Sequence, residues 1–206
     1  MSTKVRTRAQ RKPTAERILD AAEARFAARG YDATSLGDVA DAVGIRTPSL
    51  YKHYASKHEL YVAVLERLLD PYFELLDHLL VVPADAEQAA QNLAAVMNHY
   101  LRTPRLANLV QHAALAGGEQ VDLLVERWYG PLFARASQLS VNAPYLARGK
   151  RADPLTLVVA FHSMLSGYVT MAALHERLIG RDPRAPHALA QFSQLMSSLA
   201  RSLWRP

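Results

Sequence analysis

Signals that start and stop helices recur along this chain, whereas strand signals are almost missing. No sustained apolar–polar alternation is present, and no Asn-Gly or Asp-Gly pair marks a hairpin. Apolar residues recur instead at three- and four-residue spacings, which a helical repeat gathers onto one face. The pattern predicts an all-α chain. Thr14 reads as the cap of a first helix with Ile18, Leu19, Ala22 and Phe26 on one face and Gly30 as its stop. Ser35 and Asp38 form a capping-box pair at the start of a short second helix, which Gly44 ends. Thr47-Pro48 reads as the cap and first position of a third helix reaching about residue 54. Ser56 and Glu59 repeat the capping box and open a fourth helix toward residue 80, with Pro71 as a candidate kink. Longer helices are expected over residues 84–102, 104–116, 119–140, 153–179 and 186–204.

Two of the short helices matter most. Residues 35–54 place them around a tight turn at Gly44, with Ala40 small at the crossing and Val39, Val43, Ile45 and Leu50 available as a packed inner face. A helix-turn-helix needs this spacing to hold its second helix out toward a DNA major groove. The outer face of that helix offers Arg46, Thr47, Ser49, Tyr51, Lys52 and His53, all hydrogen-bond donors. No acid occurs between Asp41 and Glu59, which an ordinary polar surface does not account for. Lys57 stands at the start of the fourth helix, where the dipole disfavours a cation. It reads either as a phosphate ligand or as a tolerated surface lysine.

Charge distribution points the same way. Net charge is +5, and residues 1–60 carry 11 Lys/Arg against 7 Asp/Glu while the rest carry 13 against 12. Lys4, Arg6, Arg8, Arg11 and Lys12 precede any acid, so residues 1–13 form a basic flexible arm. Such an arm either touches nucleic-acid phosphates or is simply solvated. The 206 residues, 50% of them hydrophobic, can bury a sizeable core. The expected division is 14–60 as a helix-turn-helix domain and 61–206 as a second, helical domain. No apolar stretch follows the basic tail, so no secretory signal is read and a cytoplasmic location is expected. Residues 155–174 lack Asp, Glu, Lys and Arg, but their polar members suit a helix buried in protein better than a membrane span.

Residues 14–65 resemble the DNA-binding domain of the tetracycline-repressor (TetR) family. The matching pieces are Ile18-Leu19-Asp20-Ala21-Ala22, Phe26, Gly30-Tyr31, Ala33-Thr34-Ser35, Val39-Ala40, Val43-Gly44-Ile45, Leu50-Tyr51, His53-Tyr54, Ser56-Lys57 and Leu60. The resemblance implies phosphate contacts at Thr34, Ser35 and Lys57, and recognition-helix contacts at Tyr51 and His53. Pro48 stands where the family has glycine or proline, beside bases or phosphate. Arg46 departs from the family's small hydroxyl residue, which assigns capping to Thr47 and leaves Arg46 for DNA. Ser49 and Lys52 fall at variable positions that tune sequence preference.

The resemblance further implies that residues 61–206 bind an effector and dimerise. Broad apolar faces on the last helices nominate Leu155, Val158, Val159, Leu165, Val169, Leu189, Phe192, Leu195, Met196 and Leu199 for a dimer interface. Intramolecular packing is the alternative for each. Two-fold pairing supplies the second half-site that one helix-turn-helix lacks. For an effector pocket the polar and aromatic candidates are Tyr100, His112, Trp128, Phe133 and His162. The chain has no cysteine and no histidine pair at i,i+4, so no metal or other cofactor is expected. No nucleophile elbow or phosphate-cradling glycine loop suggests an enzyme. The sequence therefore reads as a homodimeric repressor on a palindromic double-stranded DNA operator, released by a small-molecule effector of unknown identity. A non-inducible or activating regulator of the same fold is the alternative.

Overall fold

The computed structural model describes residues 12–79, 85–142 and 154–203, which hold helices and no strand. Two compact units divide at Leu65/Glu66, a little beyond the expected step at 60/61. The basic arm up to residue 11 and the expected breaks at 82–83 and 143–153 lie outside the described residues.

The first unit contains α1 (Thr14–Arg29), α2 (Leu36–Val43), α3 (Thr47–Leu50) and the start of α4 (Lys57–Leu79). Its core is Ile18, Ala22 and Phe26 of α1, Val39, Ala40 and Val43 of α2, Leu50 of α3, and Leu60 and Val64 of α4, all buried. Phe26, Tyr31 and Tyr61 form an aromatic trio, with Tyr61 5.0 Å from Phe26 and 4.9 Å from Tyr31 between ring centroids. Burial pushes the Tyr61 phenol up to about 12. Local signals built most of these boundaries. The Ser35–Asp38 capping box is formed in both directions, and Gly44 takes the left-handed conformation that ends α2. Ser56 caps α4 through the Glu59 amide at 3.0 Å, but the Glu59 carboxylate reaches one residue further back, to the Ala55 amide at 2.7 Å.

Two expected caps are corrected. Thr14 lies inside α1, whose cap position is Pro13, and its side chain makes no capping bond. Thr47 is the first residue of α3, and Arg46, in extended conformation, is the cap. That cap works through its backbone, whose carbonyl accepts from the Ser49 amide at 2.8 Å.

The second unit contains the rest of α4 with α5 (Ala86–Arg102), α6 (Pro104–Ala116), α7 (Gly118–Leu124), a π-helical turn (Val125–Tyr129), α8 (Gly130–Asn142), α9 (Pro154–Thr170), α10 (Ala172–Ile179) and α11 (Pro186–Leu203). α4 continues through Pro71 without ending. α11 packs along α5, and α9 packs against α6 and α8. Arg201 of α11 bonds Glu87 of α5 at 2.9 Å, which holds that carboxyl below its ordinary range.

Two expected helices are interrupted. The 119–140 segment widens into the π turn, where the Gly130 amide donates to the Val125 carbonyl five residues back. A Cβ at Gly130 would stand 2.7 Å from that carbonyl oxygen, so glycine makes the turn possible. The 153–179 segment breaks at Met171, and the described helices on either side are bent by 68°. No single described helix is long and apolar enough to cross a membrane.

Candidate nucleic-acid interface and internal cavity

Packing decides which side of α3 is left outside. Leu50 is fully buried, and Arg17 of α1 donates to the Val43 carbonyl at 2.6 Å, tying α1 to the end of α2. Arg46, Pro48, Tyr51, Lys52 and His53 are consequently exposed, and Thr47 and Ser49 half-buried. Tyr51 exposes 52% of its surface, high for a large aromatic side chain.

Beside this face runs an open groove. It is lined by the approach to α2 from Asp32 to Ser35, by Gly37 and Asp38, by Thr47 of α3 and Tyr51 of the turn that follows α3 (the expected helix to residue 54 ends at Leu50), and by Ser56 and Lys57 at the start of α4. The N-termini of α2 and α4 both contribute, and such ends favour anions through free amides and aligned dipoles. Lys57 is held there: its ammonium lies 4.2 Å above the Tyr31 ring and 3.4 Å from the Asp32 carbonyl oxygen. Asp38 is the acid in closest service to the fold. Its carboxylate accepts from the Ser35 hydroxyl and amide, bonds that hold it below the usual carboxylate range.

Thr34 behaves differently from the expectation. It is 2% exposed, and its hydroxyl donates to the Gly30 carbonyl at 2.9 Å. Its amide donates to the Tyr31 carbonyl. The side chain thus closes the α1–α2 turn, while Ser35 beside it is exposed.

The second unit holds a partly open cavity of about 340 Å³. Tyr72 and Leu76 come from α4, Leu93, Val96 and Met97 from α5, and Tyr129 from the π turn. Leu132 and Phe133 of α8, Val158, Val159, Phe161, His162 and Leu165 of α9, and Met196 of α11 complete the wall. Of the five expected pocket residues, Phe133 and His162 line it. Tyr100 is fully buried behind the wall, its ring 6.1 Å from His162 and 5.5 Å from Tyr72. Trp128 donates from its indole to Asp70 at 2.7 Å and His112 sits half-buried on α6, and neither lines the cavity.

Tyr129, outside the five nominated pocket residues, also lines the cavity. Its ring lies 5.7 Å from His162 and 5.0 Å from Phe73, and its hydroxyl is buried with no hydrogen-bond partner among the described residues. Burial raises the Tyr129 phenol well above its ordinary value and lowers His162, so both are neutral at physiological pH.

The expected interface residues are redistributed. Leu165, Val169 and Met196 are buried within the chain itself, which removes them from contact with a second copy. Val158 and Val159 border the cavity, Val159 remaining half exposed. Leu189 and Phe192 are half-buried, Phe192 stacking on Tyr168 at 3.9 Å. Leu195 and Leu199 are exposed. Leu155 belongs to α9, but its side chain lies outside the described set. Exposed apolar residues that the sequence reading did not nominate include Leu174, Leu178 and Ile179 of α10.

Comparison with known proteins identifies relatives of this chain. A family model for bacterial regulatory proteins, tetR family, matches residues 18–64. The transcriptional activator FasR of Mycolicibacterium smegmatis is 31% identical over 154 residues, covering 66% of this chain and 70% of that protein. The chain belongs to the tetR family. It is therefore a DNA-binding transcriptional regulator and not an enzyme. The repressor KstR2 of Mycobacterium tuberculosis is 46% identical over 56 residues, 27% of this chain and 28% of that repressor. The structure of the TetR-family regulator PfmR from Thermus thermophilus matches with a TM-score of 0.67 at 19% identity, covering 95% of this chain and 97% of that one. At that identity the likeness is one of fold.

Proposed function

We propose that this tetR-family regulator is a cytoplasmic homodimeric repressor that occupies a palindromic operator and leaves it when a small molecule fills the cavity. The observation that carries the DNA-binding half is the outward face of α3 with its cap residue and the turn that follows it. Five side chains, Arg46, Pro48, Tyr51, Lys52 and His53, are exposed together, and no acid interrupts the sequence from residue 42 to residue 58. Arg46 reads base edges, with Ser49 and Lys52 tuning the preference. Ser35, Thr47, Tyr51, His53 and Lys57 hold phosphates, and Pro48 packs against the backbone or a base.

Pairing supplies two such faces about one DNA turn apart, roughly 34–36 Å. The exposed Leu174, Leu178, Ile179, Leu195 and Leu199 support pairing through α10 and α11. The effector acts by population shift, withdrawing operator affinity only to the extent that it prefers the released state. α4 is the lever: Lys57 of the groove and Tyr72 of the cavity wall stand on this one helix.

The experiment is selection of bound sites from random DNA by the native protein and by Tyr51→Ala/Lys57→Ala. A palindromic site recovered by the native protein alone is the expected result. Equal, sequence-indifferent recovery by both would overturn the reading. An activating role is the second reading, favoured by the 154-residue match to the activator FasR. Transcription in vitro from a promoter carrying the selected site separates the two: repression lowers transcript, activation raises it.

A further inference from the structure

We propose that the cavity takes an uncharged, largely apolar molecule with a single hydrogen-bonding end, and that Tyr129 and His162 meet that end. This rests on reading the cavity as the effector site and names the chemistry that the effector must have.

Size sets the first bound. At about 340 Å³ the cavity is more than twice the ~150 Å³ that holds a benzene, and it sits at the small end of ligand pockets. Its described lining is Leu, Val, Met, Phe and Tyr with one His, and no Asp, Glu, Lys or Arg. Three charged groups on the flanking segments, two with their counter-ions, are engaged elsewhere. Arg127 pairs with Glu66, Arg135 with Asp77 at 2.6 Å, and Asp70 accepts from Trp128. A carboxylate or ammonium entering here would shed its water and meet no counter-charge in the described lining, which is strongly unfavourable.

Chemistry at one wall sets the second bound. Tyr72, Tyr100, Tyr129 and His162 form a continuous aromatic cluster with ring spacings of 5.5, 6.1 and 5.7 Å. The Tyr100 hydroxyl faces Ser166 without reaching hydrogen-bond geometry, and the Tyr129 hydroxyl has no described partner at all. Buried hydroxyls are seldom left unmade, because each forfeits its hydration without compensation. A neutral imidazole offers one donor and one acceptor, and a protonated phenol offers both. Such a pair suits a carbonyl or hydroxyl, not an ion. The backbone is also specialised here: the π turn, permitted by Gly130, is what presents Tyr129. Turns of this kind recur at ligand sites.

The test uses full-length protein, the uncharged fluorophore phenylnaphthylamine as reporter, and three competitors at neutral pH: methyl nonyl ketone, undecane and decanoate. The ketone is expected to displace the reporter best and decanoate worst. Tyr129→Phe is expected to weaken the ketone about 2–10-fold, the worth of one hydrogen bond, while leaving undecane unchanged. Its melting temperature should match or exceed that of the native protein, because an unmade hydroxyl has been removed. Val96→Trp, which fills the cavity, should abolish reporter binding. Decanoate competing as well as the ketone would overturn the proposal. So would an unchanged ketone-to-undecane ratio in Tyr129→Phe, retained binding in Val96→Trp, or no reporter binding at all. Operator affinity is measured separately. Ketone binding that leaves it unchanged sinks the effector reading and leaves the ligand class standing. Operator release by decanoate does the reverse.

Discussion

A lysine in the first turn of a helix sits where the peptide dipoles disfavour it. Lys57 holds that position through the Tyr31 ring and the Asp32 carbonyl, which leaves its charge at the groove. Lys57→Ala should weaken operator binding evenly across sequences and reduce the slope of log affinity against log salt by about 1. An unchanged slope in a titration series would take Lys57 off the phosphates. Thr34, in the wall of the same groove, should behave oppositely. Thr34→Val removes the bond to the Gly30 carbonyl and should lower stability by roughly 0.5–1.5 kcal/mol while leaving the salt slope alone. His162 yields a pH prediction. Burial among Tyr100, Tyr129 and the cavity wall lowers its pKa below the ordinary 6.5. Above that value the imidazole is neutral folded or unfolded, and stability is intact. As pH falls through it, the unfolded chain takes the proton first, and stability drains until the folded value is reached. Melting temperatures of the native protein should fall over this window more than those of His162→Gln. Parallel curves would assign the acid sensitivity elsewhere.

Where a helix begins is a matter of which residue last keeps an extended backbone, and that is only partly a matter of composition. Ser35 and Ser56 were legible because a partner three residues on completes a local hydrogen-bonded pattern. Thr14 and Thr47 look like caps for the same chemical reason, yet each has already entered its helix, behind Pro13 and Arg46. The break at Met171 left no mark, because neither glycine nor proline is needed there. The π turn left a faint one: Gly130 directly after Trp128-Tyr129 is a glycine with no loop to serve. Gly130→Ala should force its methyl against the Val125 carbonyl and cost about 1–3 kcal/mol. It should also shift the emission of Trp128, whose indole bond to Asp70 depends on the same turn. A variant with native stability and native emission would mean that the turn is not held by this glycine.

Across the whole chain, apolar periodicity reveals that a helix face is covered and says nothing of what covers it. Val158, Leu165, Val169 and Met196 have the pattern of an interface and serve the chain's own interior. Leu178 and Ile179, which close a short helix and looked unremarkable, are left exposed, Leu178 at 72%. If α10 and α11 pair two copies, Leu178→Glu/Leu195→Glu should shift the sedimenting species to monomer and abolish binding to the full palindrome. A dimer that survives both charges would move the interface elsewhere. The helix-turn-helix was legible because its turns, caps and packing lie within about fifty residues, whereas the cavity draws on α4, α5, α8, α9, α11 and the π turn. Groove and cavity also share no residue. The groove is lined between Asp32 and Lys57 and the cavity between Tyr72 and Met196. Selection can therefore act on the two separately. If the cavity holds the proposed effector, a lineage can exchange one effector for another through scattered changes in five helices and a turn while its operator stays the same. The kinship with KstR2, 46% over a stretch that spans only 28% of that repressor, has the form that such independent drift would leave.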